Sequence, residues 1–153
     1  MSDFLRYRQQ VAQGLIAKEG KKAPGRKVIE PETVIITLDE WFLQRRKEMT
    51  GKCLHCGGRT CRDDNMYFKH SIAHILPKRP GMFPSVMTHP DNWIELCFWG
   101  NNCHGNYDGG VLDLMQLNCF DLVIEKFIRM YPKIASKERR NIPDVLLQYV
   151  QTN

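Results

Sequence analysis

No run of this chain is apolar enough to cross a bilayer: nothing approaches the roughly 18 consecutive apolar residues of a membrane helix, so a membrane protein is not expected. Residues 1–10 are polar and charged and lack the apolar segment of a secretory leader. A cytoplasmic location follows as the expectation. There is no internal repeat and no low-complexity tract, which excludes a solenoid array. Negative charge is in deficit, 17 Asp and Glu against 22 Lys and Arg, for a formal charge of +5. That excess suits a polyanionic partner without proving one. What the chain does have is six cysteines, two of them as C-x-x-C. In a reducing compartment that usage favours metal ligation over disulfides. At 153 residues, 42% hydrophobic and 25% charged, the chain is long enough to bury a core of its own as one domain.

Organisation changes twice along the chain. Phe4, Leu5, Val11, Leu15 and Ile16 fall at helical spacing, so residues 3–18 predict an amphipathic helix, and K-E-G-K-K-A-P-G-R-K at 18–27 a basic linker. V-I-I-T-L at 34–38 has strand character. Thr37 or Asp39 would cap a helix over 40–49, with Arg45, Arg46 and Lys47 facing solvent. Residues 50–110 are dense in Gly, Cys, His, Asn and Pro, as in short strands and loops organised by metal. From Leu112 apolar positions recur at three and four, predicting a helix to Tyr131 that Pro132 stops; Pro143 opens a last short helix through Leu147 and Tyr149. The divisions are thus 1–49, 50–110 and 111–153.

Cys53-x-x-Cys56, followed by Gly57-Gly58, reads as a zinc knuckle: the turn aims both sulfurs at one point, and glycine lets backbone N–H groups approach them. The partners are best sought in Cys97 and Cys103, whose spacing makes 98–102 bulge as a loop. Cys61 is a rival ligand, and Cys119, in an apolar helix, reads as a buried thiol. Four thiolates close the coordination sphere, so this zinc would be structural and would clamp 53–61 against 97–103.

His74, Asn92, His104 and Asp108 lie between and beside those pairs. His104 and Asp108 are spaced i, i+4, one face of a helix, where imidazole and carboxylate can grip one divalent cation. His74, in I-A-H-I-L-P, sits at a strand end and could activate a water as general base.

The ordered set C-x-x-C, A-H-I-L-P, N-W-I-E-L-C and C-H-x-x-x-D resembles the HNH endonuclease superfamily, the ββα-metal nucleases, over about residues 50–110. The resemblance implies an α+β fold: a ββα-metal core with structural zinc, flanked by N- and C-terminal helices. It implies His74 as base, Asn92 as a brace of the strand and loop, and His104 with Asp108 as holders of Mg2+ or another divalent cation. It implies Zn2+ on Cys53, Cys56, Cys97 and Cys103, and DNA phosphodiester hydrolysis in a bacterial or bacteriophage setting. Lys78 and Arg79 follow Pro77 and are placed to contact phosphate, with Lys52, Arg59, Arg62 and Lys69 extending the patch. A homodimer would let two such centres nick opposite strands. The family commonly has an acidic residue directly before the first histidine; here it is Ala73, so either fewer protein ligands hold the cation or His70, Asp63 or Asp64 helps to hold it. Trp99 and Trp93 are expected to cover the zinc site or pack in the core. A zinc-stabilised DNA-binding module without catalysis is the alternative, and a protein-binding adaptor a third reading.

Overall fold

The computed structural model describes residues 35–151, so the helix expected over 3–18 and the linker over 18–27 lie outside the described residues. Helix α1 spans Leu38–Glu48, and a 3-10 turn, Phe68–Ser71, leads into strand β1, Ile72–Ala73. Strand β2, Ile94–Glu95, pairs antiparallel with β1 in the register Ile72↔Glu95 and Ala73↔Ile94. Helix α2 spans Cys103–Asp108, a 3-10 turn Leu114–Gln116, helix α3 Phe120–Met130, and helix α4 Asp144–Leu147. The class is α+β, and among the described residues no helix is long and apolar enough to cross a membrane.

Strand alternation divides the core. Ile72 turns towards α1 and packs with Trp41, Phe42, Met49, Phe68 and Trp93. Ala73 and Ile94 join a larger core with Val123, Phe127 and Met130 of α3. On the Ile72 side of the sheet, the buried Glu95 carboxylate accepts from the Thr50 and Gly51 amides at 2.8 and 2.9 Å and from the Thr50 and Thr60 hydroxyls at 3.0 and 2.7 Å. The loop that carries the C-x-x-C turn is thereby tied to β2. Nothing in the spacing of N-W-I-E-L-C singles Glu95 out, because a carboxylate between two inward residues reads as a solvent-facing position.

Three expectations need correction. Among the described residues the strand expected at 34–38 does not form: 35–37 stand outside the sheet, Leu38 opens a helix, and Ile35 is 94% exposed. Thr37 is the N-cap, and its hydroxyl and the Glu40 carboxylate each bond the other's backbone amide. That reciprocal cap starts the helix two residues early and overrides the β-propensity of the isoleucines. Arg45 does not face solvent; it is buried 5.9 Å over the Trp41 ring and pairs with Glu48 at 2.9 Å. Arg46 packs over Phe68 at 4.5 Å and donates to the Arg62 carbonyl and the Asn65 side chain, leaving Lys47 exposed. The helix expected from 112 to 131 is broken at 117–119. There Leu117 plugs the core, and Asn118 donates from its amide to His55 Nδ1 at 3.1 Å and from its side chain to the His55 carbonyl at 2.6 Å. Periodicity cannot register such a break, because a buried Leu117 satisfies the helical pattern equally well. Pro132 follows α3 in a further 3-10 turn, and Pro143 is the N-cap of α4.

Candidate metal centre and adjoining cleft

The sulfurs of Cys53, Cys56, Cys97 and Cys103 all lie within 4.8 Å of one another, with Cys56 and Cys97 at 3.7 Å. Tetrahedral metal–sulfur bonds of about 2.3 Å would separate sulfurs by roughly 3.8 Å, so the donor set fits one ion. Backbone amides are aimed at the sulfurs: Cys56 N–H donates to Cys53 Sγ at 3.5 Å, Gly58 N–H to Cys56 Sγ at 3.4 Å and Cys103 N–H to Cys97 Sγ at 3.4 Å. Gly57 adopts φ of +75°, which bends the chain back over the first pair. A hydrogen bond from Asn101 draws the Cys56 thiol down to about 6, whereas burial pushes Cys97 and Cys103 up. Buried thiols this close cannot ionise together without a cation. The four cysteines can hold a metal ion. Cys61 stands apart from them, its amide bonded to Ser71, and Cys119 is half-buried outside the group.

The 98–102 segment bulges as expected. Gly100 and Asn102 take positive φ, and the Asn102 side chain accepts from Gly105 N–H at 3.2 Å to start α2. Because α2 begins at Cys103, whatever fixes that sulfur also sets the angle of His104 and Asp108.

His74 and α2 face one cleft of about 1180 Å³, whose lining includes His74, His104, Asp108, Lys78 and Arg79. His104 Nδ1 is bonded to the His70 carbonyl, which can only accept, so Nδ1 carries a proton. Its Nε2 stands 3.1 Å from Asp108 Oδ2. Burial lowers the His104 pKa, but the bonds to Asp108 and to the His70 carbonyl outweigh it and raise the value overall. The His104 bond in turn holds the Asp108 carboxyl below the usual range. With Nδ1 protonated, Nε2 must either take up a proton or share a cation with Asp108, since a lone pair facing a carboxylate oxygen is repulsive. A protonated Nδ1 on a backbone carbonyl is the usual support of a metal-binding imidazole.

His74 follows β1, stacked on Trp41 at 4.5 Å, and its buried Nε2 has no hydrogen-bond partner. Burial and the neighbouring Lys78 charge push its pKa down to about 4, against a hydrogen bond to the Met87 backbone. The neutral ring is therefore favoured by folding. That contribution is complete above pH 6.5, the unperturbed value, and is lost as pH falls through about 4. Between pH 7 and 5 it removes on the order of 2 kcal/mol. Urea unfolding of wild type and a His74→Leu variant at both pH values will show the variant losing less stability on acidification by that margin. Acid release of metal affects both proteins and cancels.

Asn92 is buried and its amide is fully used: Oδ1 accepts from Leu76 N–H at 2.8 Å, and Nδ2 donates to the Leu76 and Val86 carbonyls at 3.1 Å each. It fastens the loop after His74 to the segment before β2. Tyr107, on α2, donates to the Ile75 carbonyl at 3.0 Å and so fixes α2 against the same loop. Ala73 is buried in the larger core and offers no donor to the cleft.

Lys78, Arg79, Lys69 and His70 line the cleft, but Lys52, Arg59, Arg62, Asp63 and Asp64 do not. Lys52 and Arg59 face each other in a β-bridge, and Asp64 accepts from the Met66 and Tyr67 amides. Trp93 is buried, with Lys126 over its ring, but Trp99 is 55% exposed and belongs to neither core cluster. Comparison with protein-family models, with curated proteins and with solved structures found no match.

Proposed function

We propose that the chain is an HNH-type endonuclease that hydrolyses DNA phosphodiester bonds with a divalent cation and a histidine base, on a scaffold held by a structural zinc. The observation that carries this reading is the pairing of His104 Nε2 with Asp108 Oδ2 at 3.1 Å in a cleft also lined by His74, whose Nε2 is unpartnered, and by Lys78 and Arg79. Two donors about 3 Å apart match one edge of an octahedron with bonds of about 2.1 Å. A cation held there by His104 and Asp108 would polarise the scissile phosphate and stabilise the leaving oxygen.

The remaining work falls to the chain itself. His74 Nε2, neutral and free of any protein partner, takes the proton of the attacking water. Trp41, stacked on the imidazole, holds its plane, and Asn92 fixes the backbone that follows it. Lys78 and Arg79 bind flanking phosphates and hold the backbone in line, where positioning is worth most. Four thiolates fill the zinc's coordination sphere, so zinc takes no part beyond setting α2.

Ala73 favours one competing reading, a DNA-binding module of the same fold without catalysis, because position 73 supplies no carboxylate to the cation. Conversion of supercoiled plasmid to open circle decides between them. The zinc-loaded full chain is expected to nick when Mg2+ or Mn2+ is added, and not without it. Retarded but uncut DNA at every cation concentration would sink the enzyme and leave the module.

A further inference from the structure

Four rings from two separate segments gather around His70, which lines the cleft. Phe98 lies flat on the His70 imidazole, centroids 4.6 Å apart at 25°. Trp99 meets Phe98 at 4.9 Å and 64° and Tyr67 at 5.5 Å and 75°. Both contacts of the indole are T-shaped, so among the described residues no ring lies parallel to it in contact. Trp99 is 55% exposed, Tyr67 38% and the adjoining Met66 77%, whereas Trp41 and Trp93 are buried. An apolar aromatic surface left open in this way marks a binding surface, since folding alone would have covered it.

The setting selects the occupant. Met66, Lys69 and His70 line the cleft, and the His70 carbonyl holds the His104 ring, so the aromatic cluster is continuous with the His104–Asp108 pair. Lys78 and Arg79, exposed on the same cleft, form no ion pair among the described residues. Two nearby acids are already partnered: Asp39 pairs with Lys69 at 2.6 Å, and Asp64 accepts two backbone amides at 2.8 Å. Open ring faces beside unneutralised cations are the chemistry that takes unpaired nucleobases on a phosphate backbone. Paired bases keep their faces stacked on one another and offer nothing to an indole.

We infer that Trp99, with Tyr67, Phe98 and His70, stacks unpaired bases of a DNA strand whose backbone enters the cleft. The substrate class is then DNA with single-stranded or splayed bases beside the scissile bond, not uniform duplex. The position of that bond rests on the nuclease reading; the stacking does not.

The test uses the zinc-loaded full chain without added Mg2+, a short fluorescein-labelled oligo-dT and a blunt duplex of similar length. Oligo-dT is expected to quench tryptophan emission, because Trp99 is the exposed indole. Trp99→Ala is expected to weaken oligo-dT binding about tenfold while leaving duplex binding within about twofold, and Trp99→Phe to keep most of the affinity. Unchanged wild-type emission on adding oligo-dT overturns the inference without any variant. So does an equal loss on both probes, or no loss on either. Plasmid nicking by a chain whose oligo-dT binding ignores Trp99 sinks this inference and spares the nuclease; Trp99-dependent binding without nicking does the reverse.

Discussion

Replacing Cys97 with serine, or stripping metal with a chelator, is expected to lower the melting temperature by about 20 °C or more. Cys53, Cys97 and Cys103 belong to the larger core, and the metal they can hold joins the turn after α1 to the loop that starts α2. A structural zinc contributes roughly 10–16 kcal/mol in small zinc domains, against a typical total stability of about 5–15 kcal/mol. Losing it is therefore comparable to the whole margin. Serine at position 97 would also bury a hydroxyl against three thiols. Cys61→Ser and Cys119→Ser, outside the group, are expected to shift the midpoint by only a few degrees. Differential scanning calorimetry on the four proteins measures this. If Cys61→Ser and Cys97→Ser melt alike, the ligand assignment is wrong.

His74→Ala is expected to lower plasmid nicking by about 10²- to 10⁴-fold, the range for removing a general base. The substitution also empties a space beside Trp41 and Phe42, so some stability is lost. The readout that separates base from packing is DNA affinity at low salt, which should stay within about threefold because the proposed phosphate contacts are Lys78 and Arg79 rather than His74. His74→Gln serves as a second variant, because it keeps a polar side chain of similar reach but no base of useful strength. Full nicking by either variant would remove His74 from the chemistry. Loss of nicking together with loss of binding would assign it a structural role.

The parts of the site legible in the sequence are those set by short spacing. C-x-x-C forces two sulfurs together in any turn, and i, i+4 puts His104 and Asp108 on one face of any helix, so both survive whatever the rest of the chain does. The pairing of Cys53 and Cys56 with Cys97 and Cys103 was legible for a second reason: two pairs complete four ligands. What the sequence hides depends on partners distant along the chain. The cap at Thr37 needed a choice between two equally available local structures. Arg45 is buried because Trp41 and Glu48 receive it, while a run of three basic residues looks solvated. Trp99 looks like cover for a metal site or core, yet its indole is half exposed and meets Tyr67 and Phe98. The break at Asn118 exists because His55, more than sixty residues away, takes both of its bonds.

The most direct measurement is anomalous diffraction from crystals of the zinc-loaded protein soaked in Mn2+, with data collected on both sides of the zinc and manganese edges. The account predicts two peaks. One is zinc among the sulfurs of Cys53, Cys56, Cys97 and Cys103; the other is manganese bound by His104 Nε2 and Asp108, facing His74. Zinc alone, with no manganese between His104 and Asp108 at high concentration, would contradict it.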